Sequence, residues 1–473
     1  MSRKNRSNAP LEVKNRKVLV VGLAKTGVAV ARFLKERGAH VTVTDLKKRD
    51  ELDSYAEDAL DMGISLRLGA HEIEFFTSSD LIIVSPGVPH TLTPLETARR
   101  AGIPVIGEVE LAFRYIHEPI VAVTGTNGKT TTTSLIGEML RASGREVFVG
   151  GNIGAPLIDY PDSGMRADTI VAEISSFQLD TIEHFRPKVG LLLNITEDHL
   201  DRYDDFQHYV QSKGRLFENQ QSTDVAILNA KDTAMSQLEG LIASQRLYFN
   251  IDDAKDERTK DFVPQTRQGA RIRDKEIVCS VPGKSPAILS LANFRLMGAH
   301  NLENAAAATL ASLVAGGEQS GIQTALDTYE GLHHRLEPVK NVRGVQYYND
   351  SKATNVDAVK RSLESFDSNV ILIMGGRDKG GSYSILEELI KKRVKRLIVT
   401  GEARKKILNA LGGLTHTEET GTLYEAIHMA HQAATPGDVV LLSPGCSSFD
   451  QFTDYTERGE AFCKAVDRLA IEN

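Results

Sequence analysis

The sequence predicts an α/β protein of three domains: an N-terminal Rossmann-like unit, a central P-loop α/β unit and a C-terminal Rossmann-like unit. Short apolar runs of strand length alternate with helical segments along nearly the whole chain, the pattern of parallel sheets with crossover helices. A length of 473 residues exceeds what one hydrophobic core organises. A hydrophobic content of 41% and a charged content of 25% are those of a soluble globular chain.

Residues 1–16, opening on the basic and polar MSRKNRSNAP, read as a disordered tail, with none of the apolar stretch a signal peptide needs. The first unit, residues 17–105, begins with the strand KVLVVG. The helical TGVAVARFLKERG follows, then the strands HVTVTD, DLIIVS and IPVIG. The second unit, residues 106–331, begins with EPIVAVTG and continues through TIVAEIS, VGLLLNI and DVAILNA. The polar stretch from Asp252 to Lys275 reads as turns and irregular chain. The alanine-rich HNLENAAAATLASLVAGG reads as a helix, because alanine loses least on entering one. The third unit, residues 332–473, holds the strands NVILIMGG, VKRLIVTG and DVVLLSPG, each followed by a helical pattern. Ligands of such sheets sit beyond the carboxyl ends of the strands.

A net charge of −7 argues against nucleic acid as a partner. Cys279, Cys446 and Cys463 form no C-x-x-C pair, which speaks against a disulfide frame or a zinc site and fits a reducing, cytoplasmic compartment. The apolar runs are too short to cross a bilayer.

Gly125-Thr126-Asn127-Gly128-Lys129-Thr130 stands between a strand and a helix, where backbone N–H groups favour an anion. Lys129 supplies charge for the β- and γ-phosphates, and the Thr130 hydroxyl can hold Mg²⁺. The generic loop has four residues between its glycines and this one has two. Glu173, in AEISSFQL where a strand gives out, suits either a magnesium site or solvent. In NITEDHLDRY, His199 among acids suits a divalent ion or an anion. Thr196 as a helix N-cap with acids in the first turn is the alternative reading. Lys213 in HYVQSKGRLF reads as a solvated helix lysine. Asn301 and Asn304 either cap the alanine-rich helix or read an adenine edge.

Gly22-Leu23-Ala24-Lys25-Thr26-Gly27, with Asp45 ending the next strand, has the layout of a dinucleotide turn. Ala24 replaces the glycine that admits a pyrophosphate, so a nucleotide and a bare βα turn fit equally. Arg335 follows a domain junction, placed to swing onto a phosphoryl group or to form a hinge salt bridge. Loops at residues 350–355, 375–380 and 443–448 together make a polar, partly cationic pocket for a small carboxylate.

Taken together, TGTNGKTTT, AEISSFQLD, NITEDHLDRY, GAHNLENAAAA, HHRLEPV, YNDSKATN and SPGCSSFDQF resemble the blocks of the Mur ligase family, in family order, from Lys17 to the final helix. These are ATP-dependent amide-forming enzymes of peptidoglycan precursor synthesis, and the shortened P-loop is the family's own form. SSFQLD, EDHLDRY, NDSKATN and SSFDQF resemble most the branch that adds D-glutamate to UDP-N-acetylmuramoyl-L-alanine.

The resemblance implies that Gly125, Thr126, Asn127, Gly128, Lys129, Thr130 and Thr131 hold ATP with Asn301 and Asn304. Arg335 and Asp350 would complete that site from the third domain. It implies a UDP-substrate site of Lys25, Thr26, Asp45, Ser85, Gly87 and Asn152. It implies Mg²⁺ on Thr130, Glu173, His199 and a carbamylated Lys213, and D-glutamate among Thr354, Lys379, Ser448 and Tyr455. Lys129, His199, Lys213 and Arg335 would then be the catalytic group. A cytoplasmic monomer without membrane or nucleic-acid partners is the accompanying expectation. The rivals are a superfamily ligase with another amino acid or a folate acceptor, a nicotinamide-dependent oxidoreductase built on the first domain, and a non-catalytic nucleotide-gated module. Ala24 speaks against the oxidoreductase, which also leaves the P-loop without a role.

Overall fold

The computed structural model describes residues 10–52, 54–198, 202–251 and 268–471. Each apolar run quoted above becomes a strand, and each sheet is covered by helices that bury their apolar stripes against it. The first sheet has five parallel strands in the spatial order Ser65–Leu68, His40–Asp45, Lys17–Val21, Leu81–Val84, Val105–Gly107. The order reverses between Lys17–Val21 and Leu81–Val84. The turns that follow those two strands therefore diverge and leave a crevice, the usual ligand position in an open α/β sheet.

Among the described residues the central sheet has nine strands. Ile120–Thr124 lies in its middle, fully buried, between Val189–Leu192 and Thr169–Glu173 and parallel to both. The loops leaving these three strands consequently converge at one edge. The far side of the sheet corrects an expectation. Within the stretch read as irregular from Asp252 to Lys275, Gly269–Arg273 is a strand, paired antiparallel with Glu276–Ser280. Asp274 and Lys275 form the two-residue turn, with φ of 45° and 66°. Turns of that hand match the twist of the strands; Asp274 is a residue they favour, whereas Lys275 stands where glycine is usual. Residues 252–267 of that stretch lie outside the described residues.

The third sheet has six strands, parallel except for the edge strand Glu337–Val342, which runs antiparallel to Val345–Asn349. Among the described residues no helix is long and apolar enough to cross a membrane.

The domains are joined in two different ways. One apolar cluster runs from Val18 and Phe33 in the first sheet through Val109 and Phe113 to Ala122 and Ile170 in the central one. Its polar counterpart is Glu110, a fully buried residue on the connecting helix Glu108–Phe113. One Glu110 oxygen accepts the backbone N–H groups of Glu183, His184 and Phe185 at 2.9, 2.8 and 2.8 Å. The other accepts Arg114 Nε at 2.6 Å. Two ion pairs, Arg32–Asp159 and Arg37–Asp162, add to this junction. The third domain's apolar clusters, by contrast, include no residue before Leu336.

Glu110→Ala would strand three N–H groups, that of Phe185 buried and those of Glu183 and His184 partly so, and a guanidinium. A loss of about 3–5 kcal/mol is expected in denaturant unfolding, the usual cost of breaking a buried charged network. An unchanged midpoint would show that this carboxylate does not anchor the junction.

Candidate active site

The P-loop takes its shape from the strand beside it. Asn127 N donates to Asn194 Oδ1 at 2.9 Å, and Asn194 Nδ2 donates to the Asn127 carbonyl at 3.0 Å. Thr126 N donates to the Asn194 carbonyl at 2.9 Å, and Thr196 N donates to Thr126 Oγ1 at 3.1 Å. Gly128 ends the loop with φ of 85°, and a Cβ there would lie 2.4 Å from Asn304 Oδ1. The helix Lys129–Ala142 then starts with its N-terminus open to the cavity, as anion binding requires. Thr196 is not the helix cap the sequence suggested. Its backbone is committed to Thr126, and the next described helix, Phe206–Gly214, is capped by Asp205.

Two lysines converge on one carbonyl. Lys129 Nζ donates to the Gly125 and Thr126 carbonyls at 2.8 Å each. Lys213 Nζ donates to the same Gly125 carbonyl at 2.8 Å. Lys213 is 1% exposed, which overturns the reading of a solvated helix lysine. Burial, and then the neighbouring Lys129 charge, hold the Lys213 ammonium well below the ordinary lysine range. Burial also lowers Lys129, with Glu173 and Asp198 opposing.

Glu173 is 2% exposed. Its Oε1 accepts Asn152 Nδ2 at 2.8 Å, while Oε2 is buried with no hydrogen-bond partner among the described residues. The described residues contain no cluster of three or more His, Cys, Asp or Glu placed for a metal. His199, a candidate ligand, lies outside them.

The third domain meets this loop directly. Arg335 Nη2 donates to Thr130 Oγ1 at 2.9 Å, and Asn355 Nδ2 donates to Asp198 Oδ2 at 3.0 Å. Between the domains lies a cavity of about 190 Å³. Residues Thr126 to Thr131, Glu173, Asn301, Asn304, Arg335 and Asp350 line it, as do Thr354 and Lys379. Gly125 and Lys213 support it from behind through their hydrogen bonds. Asn301 Nδ2 is engaged with the Met297 carbonyl at 2.7 Å, and Asn304 Nδ2 with Asn301 Oδ1 at 3.3 Å.

Asp350 is buried beneath that wall. It accepts the Ser362 and Ser443 hydroxyls and, at 3.2 Å, the Leu336 N–H. Asp350 thus holds the backbone next to Arg335. Burial pushes its carboxyl up to about 6, against those three donors and the Arg335 charge.

Of the other residues expected around the amino acid, Lys379 Nζ lies 3.4 Å from Thr354 Oγ1. Tyr455 reaches the cavity only through Lys352, whose Nζ sits 3.7 Å from the ring centroid. Ser448 is buried outside the lining. Sequence reasoning passed over His300 and Arg361, gave Asn194 no role, and placed Lys352 and Asn355 in a pocket loop without assigning either a contact. Lys352 and Asn355 carried a signal, the loop's mixture of cation and amide. Asn194 carried little, since a strand-ending asparagine is common.

The crevice of the first domain forms a second cavity, of about 610 Å³. Lys25, Thr26, Asp45, Ser85, Gly87 and Asn152 all line it. Asp45 Oδ2 accepts the Leu23 N–H at 2.7 Å, which fixes the turn. Lys25 Nζ crosses to the Gly154 carbonyl of the central domain at 2.7 Å. Asn152 is on the wall of both cavities.

Three α/β sheets, a shortened P-loop where two domains meet, and a second cleft opening beside it define a three-domain P-loop protein of the Mur ligase type. The Mur ligase MurD-like N-terminal domain profile matches residues 16–107, the Mur ligase middle domain residues 123–312, and the Mur ligase glutamate ligase domain residues 334–446. The chain belongs to the Mur ligase family. It is 50% identical over 460 residues to the UDP-N-acetylmuramoylalanine–D-glutamate ligase of Desulfosudis oleivorans, covering 97% of this chain and 98% of that one. The protein of the same name from Desulfatibacillum aliphaticivorans is also 50% identical over 460 residues, covering 97% and 100%. The fold is shared with a pseudomurein peptide ligase type C from Methanothermus fervidus (TM-score 0.62, 21% identity, 96% of this chain and 100% of that one). It is shared too with the MurF ligase of Thermotoga maritima solved with ADP (TM-score 0.59, 15% identity, 98% and 96%).

The raised Asp350 carboxyl yields a pH prediction. Its folded value of about 6 exceeds the ordinary 3.8, so its stabilising contribution is full below 3.8 and lost as pH rises through 6. Denaturant titrations of the wild type and Asp350→Asn across that window should diverge. The wild type should lose on the order of 3 kcal/mol relative to the variant. A constant difference would show that burial does not hold this carboxyl high.

Proposed function

We propose that the protein is an ATP-dependent ligase that joins D-glutamate to UDP-N-acetylmuramoyl-L-alanine in peptidoglycan precursor synthesis, releasing ADP and phosphate. The observation that carries this reading is the meeting of two cavities at Asn152, beside the P-loop. A long substrate held in the first-domain crevice by Lys25, Thr26, Asp45, Ser85 and Gly87 would extend past Asn152 and present its terminal carboxylate to a triphosphate. The name shared by relatives of matching length supports the same choice of substrates.

A carboxylate is a poor electrophile toward an amine. Transfer of the terminal phosphoryl group of ATP to the L-alanyl carboxylate gives an acyl phosphate and ADP, and makes that carbon reactive. Lys129 and Arg335 spread the charge of the moving group, and the N-terminus of the helix Lys129–Ala142 adds its N–H groups. Asn301 and Asn304 face the base, and Asp350 keeps the Arg335 loop in place. Thr354 and Lys379 hold the carboxylates of D-glutamate, with Tyr455 and Ser448 supporting their loops. The glutamate amine attacks the acyl carbon, the C–O bond to phosphate breaks, and a proton leaves the amine. The third domain keeps water from the acyl phosphate.

Glu173, with a buried oxygen unpaired among the described residues, and the Thr130 hydroxyl are hard oxygen donors that fit Mg²⁺. Bound there, the ion would offset charge on the phosphoryl oxygens. His199 is assigned to the same group on resemblance. Lys213, with its ammonium held low, supplies the neutral amine that adds carbon dioxide and releases a proton. The resulting carbamate places a negative group beside Lys129 where a second ammonium would repel it. Soluble substrates of this kind fit a cytoplasmic enzyme, working as a monomer.

Phosphate release from ATP should require both UDP-N-acetylmuramoyl-L-alanine and D-glutamate, and should fail with L-glutamate. Release without either partner, or a preference for an L-amino acid, would remove this assignment. Removal of dissolved carbon dioxide should lower the rate and bicarbonate restore it. Lys213→Arg should be slow and indifferent to both treatments, and an equal response from wild type and variant would exclude the carbamate.

A further inference from the structure

The third domain approaches the P-loop with a carboxylate as well as with cations. The helix Val356–Leu363 is capped by Asn355, whose Oδ1 accepts the Ala358 N–H at 2.8 Å. In its first turn, Asp357 Oδ2 accepts Asn127 Nδ2 at 2.7 Å and Thr196 Oγ1 at 3.4 Å. The same oxygen accepts Arg361 Nε, one turn further along, at 2.9 Å. Read from the sequence, an acid in a first helical turn only answers the helix dipole. Here it touches both loops that shape the nucleotide cavity. Asn127 and Thr196 are themselves tied together through Asn194 and Thr126.

We propose that Asp357 is a positioning residue for the reaction: its carboxylate latches the third domain to the tip of the P-loop and to the loop after Val189–Leu192, and it aims Arg361 along the nucleotide cavity. The assignment rests on the ligase reading given above. Three considerations support it. The third domain shares no apolar cluster with the rest of the chain among the described residues, so its docking here depends on polar contacts. A bare carboxylate beside a triphosphate would repel it, whereas the Asp357–Arg361 pair is neutral overall and still offers a directional acceptor. Arg361 lines the same cavity as His300, whose imidazole is lowered to about 4 by burial and then by the Arg361 and Arg335 charges.

The latch separates two substrates. The UDP-linked one lies between the first and central domains, which share a core, and the amino acid is delivered by the third. Asp357→Ala should lower kcat by roughly 10- to 100-fold, the loss of a hydrogen bond to a charged group. The KM for D-glutamate should rise and that for UDP-N-acetylmuramoyl-L-alanine should stay as in the wild type. Asp357→Asn, which keeps an acceptor, should recover part of the loss and covers the case of an alanine variant that does not fold. In a cycle with Asn127→Ala, the double variant should be little worse than the more damaged single one. Small-angle scattering with a non-hydrolysable ATP analogue should give a more extended Asp357→Ala particle. Additive losses in the cycle, or equal scattering by variant and wild type, would overturn the latch. Should the wild type form no amide, the ligase reading would fall alone, because the scattering comparison needs no turnover.

Discussion

The side chain of Asn194 does for the P-loop what a neighbouring strand does inside a sheet. It gives and takes a hydrogen bond with one residue, Asn127, at the point where the chain leaves Ile120–Thr124 and has no ladder to continue. A buried amide left unpaired would cost about 1–3 kcal/mol, so the loop has one favourable arrangement. The open helix N-terminus, the contact of Gly128 with Asn304 and the place where Arg335 meets Thr130 all inherit that arrangement.

The lysines complete the same constraint from behind. Lys129 and Lys213 share the Gly125 carbonyl, and two ammoniums on one acceptor repel each other in a buried place. Burial and mutual repulsion together drive Lys213 toward its neutral form. On the other face Glu173 is buried with an oxygen unmatched by any described residue. Two crowded ammoniums and a carboxylate oxygen without a described partner are thus held beside a well-packed sheet, in positions the surrounding core fixes. The contrast between domain junctions has the same logic. An apolar seam and the Glu110 network join the first two domains, whereas the third meets the P-loop through hydrogen bonds that can be exchanged singly.

The sheets and the two clefts were legible because their signals are local. Apolar runs give strands, and glycine, lysine and threonine at a strand–helix junction give a phosphate site. What was hidden depends on partners far along the chain. Lys213 sits in a polar helical segment, and only the fold brings it under Gly125. The Asp274–Lys275 hairpin carries a lysine where its turn ordinarily has glycine, which weakens the signal. Thr196 had the look of a cap, but the hydroxyl of a threonine 70 positions away claimed its backbone N–H and carbonyl. Tyr455, at the start of the helix Tyr455–Ile471, and the buried Ser448 both lie outside the cavity lining, which no spacing argument reveals.

Asn152 stands where the two clefts touch, its backbone N–H on the Glu173 carbonyl and its amide on the Glu173 carboxylate. The first and central domains share one core, so the span from the Asp45 turn to this asparagine is a fixed gauge. On the ligase reading proposed above, a molecule held at the Asp45 turn would have to span that gauge to reach Asn152, and the framework would select by length.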